Sequence, residues 1–396
     1  MKKNIVITGG ELFNKGAQSM TFTVVDELKK RFPEKNIYLL SNIDFKRPEN
    51  EKIKYNFNIL PEGGPRIKLR DIYPVSKIFI KNKNFTNKVV NRITTVLRNT
   101  AFAIDISGYN LSSQFSNIRN LKYFLRLKMM KKYNIETYIF PQSIGPFNYE
   151  NPYKYIFNYM IKKDLSYPKK IFVREKHGLN ELLKYNLSNI EKNIDTVFYQ
   201  NNINFDNIFK KDIKLNIPEI SKNSVAIIPN SKLIKHNKNN NINSLYKNII
   251  DFLLNKKRNI YIFRHSFADL SFCRKINDLF EDKRLHLFEN DFNALELYEL
   301  LNKFDYIVGS RYHSVVHSYK NNVPALVIGW AVKYKELTSQ FNQEKYCFDI
   351  RNNIEMTSII DSLSKLNKKY NQESDLIKHK LKNLRKNNIF DQIELK

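Results

Sequence analysis

DYIVGSRYHSVVHSYKNNVPALVIGWAVKYKEL, running from Asp305 to Leu337, holds two short apolar runs, DYIVGS and PALVIG, each bounded by a glycine. Runs of this length between Gly and Pro read as buried parallel strands, and the stretch between them reads as a helix. Ser310 is a suitable N-cap, which puts Arg311 and His313 at the positive end of that helix, just past a strand's carboxyl edge. Open α/β sheets bind ligands at that edge, and a helix N-terminus offers backbone N–H groups to anions. A guanidinium at Arg311 can fork onto a phosphate or carboxylate, and an imidazole at His313 can carry a proton in either direction near neutral pH. Taken alone, an R-x-H pair is better read structurally, with Arg311 paired to an acidic neighbour and His313 a satisfied histidine.

Working outward, the same strand-then-helix alternation recurs, the pattern of a parallel sheet covered on both faces. NIVITG ends in Gly9-Gly10, a helix follows with Ala17, Met20, Val24 and Leu28 at three-to-four spacing, and NIYLLS comes next. AFAIDIS (Ala101 to Ser107), a helix near Leu121 to Lys132, ETYIF (Glu136 to Phe140) and KIFVRE (Lys170 to Glu175) complete the first series. Periodicity lapses from Gln200 to Asn223, the best linker candidate. A second series runs through SVAIIPN (Ser224 to Asn230), NIYIFRHS (Asn259 to Ser266) and RLHLF to the opening segment. We therefore expect an α/β chain of two Rossmann-like domains, 1–205 and 222–345. A helical segment, 346–396, follows, for which packing back onto the first domain is one open arrangement.

A chain of 396 residues exceeds the size at which one hydrophobic core stops growing, so two domains are the default. No apolar run approaches the roughly 20 residues that span a bilayer, and Met1-Lys2-Lys3 leads into a strand-like NIVIT; a cytoplasmic protein is expected, with peripheral contact at the inner membrane face open. Cys273 and Cys347 lie far apart, supporting neither a disulfide framework nor a C-x-x-C site. The net charge of +28 would ordinarily suggest an anionic partner, but the lysines are spread along the chain among Asn and Ile. Loose clusters at Lys77 to Lys88, Lys232 to Lys238 and Lys378 to Lys386 come with no arginine-rich arm or zinc finger, so no specific nucleic-acid binding is expected.

Other strand ends carry polar chemistry. Gly9-Gly10 through Gly16 reads as a flexible loop offering Asn14 and Lys15 to a ligand, but it lacks both the G-x-G-x-x-G and the G-K-[ST] pattern. Asp105, with Ser107 and Gly108 beside it, ends a strand and is either a site residue or a turn cap. Gln142 and Ser143 follow another strand. Arg174 ends a further one, where a lone arginine is usually an ion-pair partner. His313 and His317 are four apart, yet H-S-V-V-H lacks the glutamate of H-E-x-x-H, so no metal site is expected and His317 reads as support. No G-x-S-x-G elbow appears. Two domains facing each other across a cleft would gather both sets of strand ends into one small-molecule site.

NKGAQSM, DISGYNLSSQF, FPQSIGPF, IFVREKHG, DTVF, VAIIPN, GSRYHSVVHS and VPALVIGWAVKYKEL, in that order, resemble the successive motifs of the bacterial polysaccharide pyruvyl transferases. The resemblance covers about Asn4 to Phe341, and the GSRYHS and GW-x-x-KY-x-E-L pair is its most specific part. It implies a glycosyltransferase-B-like fold and transfer of the enolpyruvyl unit of phosphoenolpyruvate onto a sugar diol as a pyruvate ketal. Phosphoenolpyruvate would be a co-substrate, with no cofactor, and the acceptor a saccharide, free or linked to a nucleotide or lipid. By the same resemblance Arg174 and Arg311 would hold the donor, His313 would be the acid/base residue, and Asp105 would lie near the acceptor or assist proton transfer. Asn14, Gly16, Ser107, Gln142, Ser143, Ser310, Lys333 and Tyr334 would contact substrate, the last two on the exit loop after PALVIG. The chain departs from the family pattern at Asn14-Lys15-Gly16-Ala17, where N-x-G-D is common, and at His177, where small polar residues are usual. Alternatives from other classes are a nucleotide-sugar glycosyltransferase on the same fold and a non-catalytic basic module binding glycans or membranes.

Overall fold

The computed structural model describes residues 2–62, 86–236, 242–352 and 355–394. Most of the basic cluster at Lys77 to Lys88, and Lys238 of the next one, fall outside these residues. The chain forms two compact units: Met1–Phe13 with Met20–Ile213 and Asn388–Lys396, and Asn14–Ser19 with Lys214–Asn387.

In the first unit the strands are β1 (Asn4–Thr8), β2 (Asn36–Leu40), β3 (Asn58–Leu60), β4 (Thr100–Asp105), β5 (Tyr109–Leu111), β6 (Glu136–Ile144), β7 (Lys170–Val173) and β8 (Ile190–Lys192). They pair in parallel in the order β3-β2-β1-β4-β6-β7-β8, with β5 on β6. NIVIT is buried at all five positions, as a strand covered on both faces must be, which explains its unbroken apolar run. The order reverses direction between β1 and β4, where Thr8 sits opposite Asp105. Such a switch point is where the fold leaves room for a ligand.

The second unit repeats the plan with β9 (Ser224–Ile228), β10 (Asn259–Phe263), β11 (Leu285–Phe288), β12 (Tyr306–Gly309), β13 (Ala325–Gly329) and β14 (Cys347–Asp349), again all parallel, in the order β11-β10-β9-β12-β13-β14. Its switch point lies between β9 and β12, with Ile228 opposite Gly309. One core joins β9, β10, β12 and β13 to the helix Ile242–Asn255, whose Ile242, Leu245, Tyr246, Ile249, Ile250 and Leu253 form a single apolar stripe, and to the long helix Met356–Leu384.

Three boundaries differ from the sequence reading. The first helix, Lys15–Arg31, begins before Gly16, so the loop after β1 is shorter than expected; Asn14 Oδ1 accepts from the Gly16 and Ala17 amides at 3.0 and 3.3 Å and starts the helix. The helical C-terminal segment divides, because Met356–Leu384 belongs to the second unit and only Asn388 onward to the first. There Phe390 packs edge-on to Phe140 at 5.1 Å, and Glu394 meets Lys169 at 2.8 Å. Within the linker candidate, Gln200 and Ile208 are buried, and the boundary between units falls at Ile213.

Helices in both units end on asparagine at positive φ: Asn134 and Asn186 in the first, Asn322 and Asn342 in the second. After Tyr312–Lys320, Val323 N donates to Ser318 O at 2.9 Å and Asn322 N to Tyr319 O at 3.0 Å, the paired bonds of a Schellman motif. No helix among the described residues is long and apolar enough to cross a membrane. Cys273 and Cys347 are free thiols that burial pushes up to about 12 and about 11 respectively.

Candidate functional site

At the first switch point Asp105 is buried and fully engaged. Its Oδ2 accepts from Thr8 Oγ1 at 2.9 Å and lies 3.5 Å from Arg126 Nη1, while Oδ1 accepts from the Ser107 amide at 3.1 Å and from Gln142 Nε2 at 3.4 Å. Arg126 also reaches Glu62 at 3.2 Å and Ser107 Oγ at 2.9 Å. Burial works against its charge, yet Asp105 and then Glu62 raise the Arg126 guanidinium above its ordinary value. Burial, reinforced by Asp105, pushes the neighbouring Tyr123 phenol well up.

Beside this group, Arg174 is buried with its guanidinium on the Asp195 carboxylate, on Gly108 O at 2.5 Å and on Ser143 Oγ at 3.0 Å. Ser143 Oγ donates to Glu175 at 2.7 Å. Gly108, at φ +67°, presents its carbonyl to both Arg174 and the Ser143 amide. Asp105, Ser107, Gln142, Ser143 and Arg174 thus form one connected network across the ends of β4, β6 and β7, with Gln142 Oε1 buried and outside its hydrogen bonds.

The second switch point is built differently. The helix after β12 is Tyr312–Lys320, and its N-cap residue is Arg311, not Ser310. Ser310 is fully buried instead, its hydroxyl 2.8 Å from Tyr246 Oη and its carbonyl accepting from Asn230 Nδ2 at 2.9 Å and Tyr334 Oη at 3.0 Å. Arg311 forks through Nε and Nη2 onto Asp269 at 2.8 and 2.5 Å, and Asp269 is further held by the Ser231 amide and hydroxyl at 3.0 and 2.9 Å. The acidic partner that fixes Arg311 therefore comes from 42 residues upstream and leaves Nη1 outside the fork.

His313, half-buried in the first helical turn, lies against Gly16: a Cβ there would stand 2.2 Å from its Nδ1. His317, one turn on and fully buried, is 2.8 Å from Ser19 Oγ through Nε2. His265, just past β10, brings a third imidazole, 5.8 Å from His317 between ring centroids, while His313 stands 6.5 Å from His317. Burial first, then the charges of His313, Arg311 and Lys15, hold His265 well below the ordinary histidine value; burial, then His265 and His313, does the same to His317. Lys15 Nζ and Arg264 Nη2 share the Asp291 carboxylate at 3.1 and 3.5 Å. Lys333 and Tyr334 sit in the first turn of the helix Val332–Gln340 instead of on a loop, Lys333 5.3 Å from the Tyr312 ring and Tyr334 buried. Among the described residues no group of three or more His, Cys, Asp or Glu side chains is placed to hold a metal ion.

A family model, polysaccharide pyruvyl transferase, matches residues 14–331. The chain belongs to that family. No curated protein matches the sequence. Solved structures share the fold at low identity. A Staphylococcus aureus TarM variant with fondaparinux, α-GlcNAc-glycerol and UDP superposes at TM-score 0.55, 11% identity, over 98% of each chain. UDP-GlcNAc 2-epimerase from Methanocaldococcus jannaschii gives 0.52 and 11% over 92% of each, and a glycosyltransferase from Rickettsia africae 0.50 and 15% over 99% of this chain and 98% of that one. The paired parallel α/β units of this pyruvyl transferase family member are thus those of GT-B glycosyltransferases and epimerases.

Sequence reading missed Arg264, His265 and Asp269. The signal was present, because NIYIFRHS is an apolar run closed by Arg and His, the same strand-end pattern that singled out Arg311 and His313.

Proposed function

We propose that this protein transfers the enolpyruvyl group of phosphoenolpyruvate to a sugar diol, forming a pyruvate ketal and releasing phosphate, in surface polysaccharide or glycoconjugate synthesis. The reaction as written needs no cofactor, and we assign it to the cytoplasm or the inner membrane face. The observation that carries the reading is the β12 exit. There Asp269 fixes the Arg311 plane, and His313 stands two residues on, at the amino end of a nine-residue helix. The family match includes this motif.

Phosphoenolpyruvate carries about three negative charges, so holding it out of water demands fixed cations and oriented N–H groups. Arg311 and the helix amides bind its anionic ends. His313 delivers a proton to the methylene carbon, which leaves C2 electron-poor. One sugar hydroxyl bonds to C2 and loses its proton to the emptied imidazole. The neighbouring hydroxyl then bonds to the same carbon as the C2–O bond to phosphate breaks, and its proton leaves with the phosphate. Because Arg174 is engaged with Asp195, Ser143 and Gly108, we give it the work of fixing the β4 and β6 exits.

The test is incubation with phosphoenolpyruvate and candidate saccharides, reading phosphate release and product mass together. The expected product gains one ketal and one carboxylate. His313→Ala should abolish turnover with donor binding retained, and Arg311→Ala should weaken donor binding. Release of a nucleoside diphosphate from a nucleotide sugar would instead establish glycosyl transfer. Salt-sensitive glycan or vesicle binding indifferent to both substitutions, with no turnover, would establish a binding module.

A further inference from the structure

Two nitrogens in the second unit are placed as no structural role requires. Arg264 is 8% exposed and His265 6% exposed, yet Arg264 Nη1 and His265 Nε2 are buried with no hydrogen-bond partner among the described residues. A buried polar atom left unpaired costs about 1–3 kcal/mol, and more when charged, so such pairs persist where something else fills them. The surroundings say what that is. His265 is close enough to His313, Arg311 and Lys15 to feel the charge of all three, and Arg264 and Lys15 share Asp291. Arg311 is already set by Asp269, and the amino end of Tyr312–Lys320 lies beside it. Three cations thus stand with two carboxylates, both already used as partners, next to a helix N-terminus. The complement missing from this group is a compact anion with several acceptor oxygens.

We propose that Arg264 and His265, at the exit of β10, complete an oxyanion site with Lys15, Arg311 and the amino end of helix Tyr312–Lys320, and that this site takes a phosphate monoester dianion. Arg264 Nη1 and His265 Nε2 donate to separate phosphate oxygens, with Lys15 and Arg311 supplying charge. For the donor, the inference rests on the pyruvyl-transfer reading: the phosphate is that of phosphoenolpyruvate, and the released inorganic phosphate leaves from the same place. Arg264 and His265 are then binding residues, distinct from His313, which moves the proton.

Calorimetric titration of the full chain with inorganic phosphate, phosphoenolpyruvate and UDP tests this, using Arg264→Met, His265→Phe and His265→Gln. Wild type should bind phosphate and phosphoenolpyruvate. Arg264→Met and His265→Phe should each weaken both at least tenfold without lowering the thermal midpoint. His265→Gln, which restores an N–H near Nε2, should stay within about threefold of wild type. In turnover, the first two should raise KM for phosphoenolpyruvate with kcat little changed. Wild-type affinity in either variant, a thermal midpoint that falls with affinity in both, or absence of phosphate binding by wild type would overturn the site. Phosphate binding that depends on Arg264 without ketal formation would overturn the pyruvyl reading and leave the site standing. UDP binding with the same dependence, and none of phosphoenolpyruvate, would do likewise and assign the site to a nucleotide's phosphate.

Discussion

The two sheets share one strand order around their switch points, β3-β2-β1-β4 in the first and β11-β10-β9-β12 in the second, yet the polar groups there are finished to different degrees. In the first unit Asp105 answers Arg126, Arg174 answers Asp195 with its Nε 3.9 Å from Glu175, and Ser143 donates to Glu175, so each cation has a carboxylate within 4 Å. In the second, Arg311 is answered by Asp269 and Arg264 Nη2 by Asp291, but Arg264 Nη1 and His265 Nε2 are buried donors with no hydrogen-bond partner among the described residues, whereas the first unit's Gln142 leaves only an acceptor oxygen, Oε1, in that state. On the proposal above, the contrast separates a group that holds a loop from a group that holds a ligand. On the phosphate site proposed above, the cations of the second unit, and not cations in general, are the ones available to phosphate.

The largest expected effect tests the closed side. Asp195→Ala strands the buried Arg174 guanidinium and should cost about 3–5 kcal/mol in denaturant unfolding, whereas Arg264→Met should cost nothing or stabilise. Equal losses would erase the contrast. Next, Gly16→Ala puts a methyl carbon 2.2 Å from His313 Nδ1. Crowding of this kind costs about 1–3 kcal/mol, and displacing the ring by about 1 Å should lower turnover about 100-fold. Steady-state kinetics beside a melting curve would separate the two.

A smaller effect follows from acid. His265 and His317 are held well below their ordinary values, chiefly by burial, so below an unfolded value of about 6.5 the unfolded chain binds protons that the folded chain refuses. Stability conferred by these neutral imidazoles is therefore present above that value and lost as pH falls. The slope approaches about 1.4 kcal/mol per pH unit for each histidine. Unfolding at pH 7.5, 6.5 and 5.5 should show it, and His265→Phe should remove about half. Least of all, Asn322→Ala should cost about 1 kcal/mol and Asn322→Gly a few tenths, with Asn134 in the first unit behaving alike. A difference between units at these turns would mean that the contrast extends beyond the switch points.

Strands with four or five buried apolar residues were legible because burial on both faces leaves an unbroken run: DYIVGS became Tyr306–Gly309, and PALVIG became Ala325–Gly329. Three-residue strands such as Tyr109–Leu111 and Cys347–Asp349 are too short to show any period. Which residues stand at strand ends could be read. Which of them are neutralised could not, since Asp195 meets Arg174 across 21 residues and Asp269 meets Arg311 across 42, through sheet order that no local pattern encodes. The helix start at Arg311 missed by one residue for a physical reason: Tyr246 takes the Ser310 hydroxyl that would have capped it.

The asparagines that close the helices carry a chemical liability with a direction. Four of the six non-glycine residues described at positive φ, Asn134, Asn186, Asn322 and Asn342, are asparagines just past a helix, in a chain with only 10 glycines. Each side-chain amide is a latent carboxylate, and slow hydrolysis would set a negative charge at the negative end of a helix dipole, an unfavourable addition of about 0.3–1 kcal/mol per site. Ageing of this protein would therefore loosen its helices from their carboxyl ends, and Asn322, just past the helix that carries His313 in its first turn, ties that wear to the site itself.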